Sequence, residues 1–355
     1  MNLLPIWFSL SCTSDTDTAG TEHHTQYQVV QATVSMDYAV GALATIDRQS
    51  NTLQESRSSI SGDPVLDFDG EYLWQLNRYR YDTLRQYDPY NLSTPLNEIS
   101  LRMDTDTSSN PQSAVRCAEK LFISQHDRPE LLILDPTSLT TIGTISLQDF
   151  NDADGSPEAA DLICLENQTL YVGLQRLNRN NSWISEGSVI LQIDSLEEQI
   201  INHRFFGANI HLYTDSMNSL LVSSDPFDDQ KGGIFSLDNN LVDERILEVE
   251  EKQILDLTRT QNHLYFITID DDFGAQQIFC VPPNGEQLVA LAQFDEFLTF
   301  IKSDADSVWI GAHWGWNNPA DAIPGTHVWT VDGCDILEKN LISGALAPFD
   351  MVFIQ

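Results

Sequence analysis

Lysine is scarce in this 355-residue chain: only Lys120, Lys231, Lys252, Lys302 and Lys339 are present, and all basic side chains together number 18 against 53 acidic ones. The formal net charge of −35 excludes a nucleic-acid binder, because affinity for phosphate backbones comes from clustered Lys and Arg. It equally excludes adsorption to anionic lipid surfaces. No apolar run approaches the ~18 residues of a membrane-spanning helix. C-x-x-C is absent, so a zinc site of that spacing is excluded. A G-x-S-x-G elbow, H-E-x-x-H and a phosphate-binding glycine loop are also missing, so no nucleophile set declares itself. What is present is a core: 41% hydrophobic and 9% aromatic residues exceed what a disordered chain carries. The length allows one large all-β domain or two smaller ones. An acid-rich, lysine-poor surface suits salty or extracellular water, where self-repulsion is screened.

Residues 1–12 form an apolar segment, MNLLPIWFSL, followed by Ser11 and Cys12. The stretch resembles the end of a bacterial lipoprotein signal peptide, in which the cysteine is lipidated and becomes the new N-terminus. It lacks a basic n-region, since no Lys or Arg precedes Arg48, and Ser9 replaces the usual leucine. Residues 13–26 are small and polar and read as a flexible tether. Four further cysteines remain, Cys117, Cys164, Cys280 and Cys334. Four suffice for two disulfides in an exported chain. Cys117 and Cys164, however, each sit on a hydrophobic strand just before a stronger one, and are expected to be buried free thiols.

From residue 27 to 355 the chain repeats. Apolar β-rich runs end at Asp47, Asp88, Asp135, Asp194, Asp238, Pro282 (in the aspartate's place) and Asp332, at intervals of 41, 47, 59, 44, 44 and 50 residues. Propeller blades recur at roughly 40–50 residues. Upstream of most of these landmarks lies a stronger strand, as in EYLWQLN, KLFISQH, TLYVGLQ, SLLVSSD, HLYFITI and SVWIGAH. A softer strand precedes each, such as PVLDFD, AADLICL, NIHLYT, QILDLT and FLTFIK, and a fourth follows the aspartate turn. Four strands in each of seven units predict an all-β, single seven-bladed β-propeller. The C-terminal PFDMVFIQ resembles a first strand, while TQYQVVQATV starts on a second-strand pattern. The last strand is therefore expected to complete the first blade and remove the open sheet edges. The landmark aspartates are read as turn formers.

LYVGLQ and LFISQHDRPELLILDPTSLTTIGTISL resemble the YVTN-type propellers of bacterial envelope proteins. That family runs a strand ending near Tyr-Val-x-x, a turn, a strand ending in Asp and a descending strand. The resemblance implies a propeller of the cell envelope and assigns no function. The Gly-His and Trp-Asp signatures of WD-repeat propellers are missing.

The loops between second and third strands share one face of the disc with the blade-to-blade connections, and loops on a rigid scaffold carry function. Arg78, Arg80, Arg128, Arg176 and Arg179 fall on this face in blades two to four, which suits a carboxylate- or phosphate-bearing ligand; a solvated, self-balancing rim is the alternative. His126 and Asp127 lie beside Arg128. His313-Trp314-Gly315-Trp316 would stack on a sugar or anchor a protein partner, or else form a local mini-core. Asp149, Asn151, Asp152 and Asp154 resemble part of a calcium loop, with Ala153 breaking the alternation and Glu158 near. His211 with Asp215 is a further acid/base pair by proximity.

The expectation is a non-catalytic binding or protein-interaction platform, exported, lipid-anchored through Cys12 and monomeric. Its ligand would be a protein or a small anionic or glycan molecule, with no nucleic acid, no cofactor beyond calcium, and no membrane contact except the lipid. The alternative is a propeller hydrolase or lyase at the channel mouth using His126, His313 and nearby aspartates, which requires His and Asp to converge there.

Overall fold

A computed structural model describes residues 29–102, 108–214, 218–227, 232–249, 252–269, 276–283, 285, 288–314 and 323–354. The signal-like segment with Cys12, the tether, Asp215 and Trp316 lie outside them.

The described residues form seven antiparallel four-stranded sheets. Blade 2 (Pro64–Phe68, Leu73–Asn77, Thr83–Tyr87, Asn97–Ser100) sets the pattern, its strands following one another outward from the channel. Blade 1 is the exception. Ala347–Phe353 pairs with Val29–Val34, in the register Val29↔Phe353 to Val34↔Ala347, and supplies the innermost strand. The C-terminal strand thus closes the ring as the sequence predicts, and gives blade 1 the same four strands as the others. Blade 4 adds a small hairpin, Leu177–Asn178 with Ile184–Ser185, between its second and third strands.

The second strands are apolar along their whole length because both faces are covered: Leu73–Asn77 and Lys120–Gln125 are buried almost throughout. Outermost strands alternate, as in Gln199–Phe206, where Ile201, His203 and Phe205 face outward. The core is correspondingly divided. Seven hydrophobic clusters fill the seven blade-to-blade interfaces, each drawing on both neighbours; Trp74 of blade 2, for example, packs with Leu121 and Ile123 of blade 3. Stability is therefore carried between blades more than within them.

The landmark aspartates do form turns. Asp47, Asp135, Asp194 and Asp238 each use Oδ1 to accept two backbone N–H groups two to four residues on, at 2.7–3.1 Å. Asp88 accepts one, from Tyr90. These hydrogen bonds hold the Asp47, Asp135 and Asp238 carboxyls below the usual range.

The cysteines correct the sequence reading. Cys117 and Cys164 are not free thiols: they are bonded to each other, Cα to Cα 5.6 Å. Cys280 and Cys334 form a second bridge with the same Cα separation. Each joins adjacent blades, 3 to 4 and 6 to 7. Cys117 and Cys164 both end first strands, one blade apart, and the ring brings equivalent positions side by side.

Candidate functional site

The channel is lined by a set of charges that the soft first strands carry. Four aspartates on these strands each reach across to the next blade. Asp350 Oδ2 accepts Leu66 N–H at 2.8 Å, Asp67 Oδ2 accepts Ala114 N–H at 2.9 Å, Asp161 Oδ2 accepts Leu212 N–H at 2.9 Å, and Asp256 Oδ2 accepts Ile301 N–H at 2.8 Å. The aspartates thus tie inner strands together around the axis. Burial pushes the Asp67 carboxyl up to about 7, against the bond from Ala114, and burial raises Asp256 too. Burial works against a charge on Lys302, but Asp256, Asp350, Asp67 and Asp161 outweigh it and raise its pKa. His211 behaves alike: burial opposes its protonation, Asp161 restores it (Nδ1 to Oδ2 3.3 Å), and its pKa is raised. Asp161, His211, Asp256, Lys302 and Asp350, with Arg78, Gln112 and Gln175, line a recess of about 360 Å³ at the loop-face mouth.

His211, rather than His126 or His313, is therefore the histidine that meets a carboxylate. His126 Nε2 contacts Gln175 Oε1 at 3.2 Å, and burial lowers its pKa. His313 is 2% exposed, stacked on Tyr38 with centroids 4.9 Å apart and edge-on to Trp314, and burial lowers its pKa too. This ring belongs to a local mini-core.

The arginines of the rim are engaged with the protein itself. Arg78 binds Asp63 Oδ1 through Nε (3.0 Å) and Gln112 Oε1 through Nη1 (2.9 Å). Arg176 Nη1 donates to the carbonyls of Glu186 (3.0 Å) and Gly187 (2.8 Å), clamping its own loop. Arg179 Nη2 meets Asp127 (2.8 Å) and Glu158 (3.2 Å). Arg128 is half-buried, and Arg80 is exposed, its guanidinium over the Tyr79 ring at 4.9 Å.

A second recess was not evident from sequence. A groove of about 590 Å³ runs between blades 4 and 5 on the loop face, lined by Leu177, Trp183, Ile184, Pro226 and Phe227 together with Ser185, Asn209, Asp225, Lys252 and Gln253. Trp183 and Ile184, on the blade 4 hairpin, are 54% and 57% exposed. After the hairpin the chain re-enters the blade through Gly187, whose φ of +81° suits glycine; a Cβ there would sit 3.0 Å from Phe227 Cε1. Arg179 lies over Trp183 at 5.4 Å and connects this wall to the acidic loop behind it.

In that loop, carboxylate oxygens of Asp152, Asp154 and Glu158 all lie within 4.8 Å of one another. Asp149 instead sits in a 3-10 turn, Gln148–Phe150, before the cluster. Burial, then Asp152 and Asp154, push the Glu158 carboxyl up to about 8. The spacing of Asp152 and Asp154 was legible; Glu158 completes the set because the chain doubles back at Gly155 (φ +93°).

No known family profile matches the chain, and no curated protein matches it. Solved structures do. A putative 6-phosphogluconolactonase from Bacteroides fragilis superposes with a TM-score of 0.62 at 9% identity, over 93% of this chain and 99% of that one. A protein from Lactobacillus plantarum gives 0.64 at 12%, over 93% and 99%. The β-propeller domain of the Trilobed protease from Pyrococcus furiosus, described as having an open velcro topology, gives 0.54 at 12%, over 89% and 95%. At these identities the likeness is one of fold alone: this chain is similar to β-propellers of differing names, and its own strand order makes it a closed, seven-bladed one.

Proposed function

We propose that the protein is a non-catalytic binding platform whose ligand seats in the groove between blades 4 and 5. The observation that carries this reading is the pair of exposed residues Trp183 and Ile184, held on a projecting hairpin opposite Phe227, with Lys252 and Asn209 in the same groove. A concave, mostly apolar site with a few polar groups is the usual form of a small-molecule site. The ligand class it fits has a ring or sugar face for Trp183 and an anionic or hydrogen-bonding group for Lys252. A thermal-shift screen of glycans and small organic anions tests it. Hits are expected to lose at least tenfold in affinity, about 1.4 kcal/mol, in Trp183→Ala, and to keep it in His211→Ala. Hits indifferent to Trp183→Ala would contradict the groove.

A second reading is hydrolysis at the channel mouth, which the approach of His211 to Asp161 favours. A neighbour in fold carries the name of a putative lactonase, so lactones and esters are the substrates to try. Against it, all four channel aspartates are committed to backbone N–H groups of neighbouring blades.

We further propose export and a lipid anchor at Cys12. Two disulfides support an oxidising compartment. Intact mass of the mature chain is expected to show cleavage before Cys12 and added acyl mass; an unmodified Met1 terminus would contradict the anchor.

A further inference from the structure

The channel recess holds donors that the protein itself does not use. Gln175, directly after the second strand of blade 4, lines it and is only 7% exposed. Its Oε1 meets His126 Nε2 at 3.2 Å, and because burial disfavours a charge on that ring, the amide is the acceptor in this contact. Gln175 Nε2 then has no acceptor among the described residues, yet it is not sealed in packing, so it opens on the recess. Lys302 is the second case. The carboxylates of Asp256, Asp350, Asp67 and Asp161 keep its ammonium charged, but it makes no hydrogen bond or direct ion pair with a described residue. The reason is that all four aspartates turn Oδ2 to a backbone N–H of the next blade. Asp161 supplies the opposite polarity. Its Oδ2 takes Leu212 N–H (2.9 Å) and His211 Nδ1 (3.3 Å), while Oδ1 accepts from no described residue. Polar groups this far from bulk water are costly to leave unpaired.

The recess is two-sided. Val65, Leu255, Phe297 and Phe349, all half-buried, come from blades 2, 6, 7 and 1, whereas Asp161, Gln175 and His211 come from blades 4 and 5 across the axis. Lys302 lies further down the strand that begins at Phe297, toward the floor. An anion alone would meet the field of four aspartates. A cation alone would sit beside Lys302 and His211 and leave the donors unspent. A molecule carrying both charges satisfies both sets of groups. We propose that the recess binds a free α-amino acid with an apolar side chain: its carboxylate on Lys302 and Gln175 Nε2, its ammonium on Asp161, its side chain against Phe297 and Phe349. Both polar contacts are charge-assisted hydrogen bonds. A volume of about 360 Å³ suits a molecule of that size and not a polymer. The site is separate from the groove between blades 4 and 5 and does not depend on what binds there.

Titration of the full-length protein with L-leucine and with L-phenylalanine, read by heat and by melting temperature, tests it. At least one of the two is expected to bind, as a single molecule per chain. Its deaminated and decarboxylated analogues (isocaproate and isoamylamine for leucine, hydrocinnamate and phenethylamine for phenylalanine) are each expected to bind at least about tenfold more weakly. Lys302→Met should cost a similar factor, as should Asp161→Asn, which keeps an acceptor for Leu212 N–H. Trp183→Ala is expected to leave the affinity as it is, which separates this site from the groove. The analogue comparison uses the wild-type protein and stands even if the channel variants fail to fold. Neither heat nor a melting shift from either amino acid at about 1 mM would overturn the site. So would an analogue as tight as its parent, wild-type affinity in folded Lys302→Met, or loss of binding in Trp183→Ala.

Discussion

Replacing Cys117 and Cys164 together by serine is expected to lower the free energy of unfolding by about 4 kcal/mol, and replacing Cys280 with Cys334 to do the same. The bridges close loops spanning 47 and 54 residues, and the chain-entropy relation for loops of that size gives about 4 kcal/mol each. Both bridges stand inside the clusters that join blades: Cys117 and Cys164 in that of blades 3 and 4, Cys280 and Cys334 in that of blades 6 and 7. Strain cannot relax along a closed ring without parting two blades, so loosening one interface weakens the whole. Denaturant unfolding with and without reductant measures the effect. Linked peptides in a non-reducing digest are the accompanying check, and a midpoint unmoved by reduction would contradict this account.

Stability is expected to fall as pH rises from about 5 to 8, the reverse of the usual gain on leaving acid. The sign follows from the channel. Asp67 holds its proton to about 7, whereas an unfolded aspartate releases it near ~3.9. Between those values the folded state binds more protons, so its stability is fully present below the lower one and declines up to the higher. A difference of about three pH units corresponds to ~4 kcal/mol; because Asp67 is half-buried and not fully enclosed, about half of that is expected. His211 adds in the same direction: its raised pKa stabilises below about 6.5 and the contribution is lost as pH rises through the folded value. Below ~4 the trend turns over, since the turn aspartates Asp47, Asp135 and Asp238, held low by their N–H donors, must then protonate. Melting temperatures across pH 4–8 are the measurement. Asp67→Asn keeps an acceptor for Ala114 N–H, so it should flatten the slope and gain most at pH 8; a wild-type slope in Asp67→Asn would contradict the assignment.

The fold was legible because it is written in repetition. Strong second strands such as SVWIGAH are buried on both faces, so they read as continuous apolar runs, and Asp47 or Asp135 mark the turns that follow. The channel was legible only in hindsight. Asp67, Asp161 and Asp256 are what made PVLDFD, AADLICL and QILDLT look soft, and a strand that faces an axis carries polar residues for that reason. The disulfides had a signal as well. The spacing of Cys117 from Cys164, 47 residues, is one blade, and a ring places residues one blade apart in contact; burial alone suggested thiols. The groove had none, because Trp183 and Phe227 lie in different blades and only the packing of blade 4 on blade 5 sets them opposite each other. The arginine rim illustrates the limit of composition: Arg78, Arg176 and Arg179 share a face, yet their donors are directed to Asp63, to loop carbonyls and to the acidic cluster.

The position of a bound ligand tests the central claim most directly. A hit from the glycan and anion screen, soaked into crystals of the protein, is predicted to show density between Trp183 and Phe227, with Lys252 or Asn209 on its polar edge. Density in the channel instead, against His211 and Lys302 with the groove clear, would contradict the platform reading and put the chemistry on the axis of the ring.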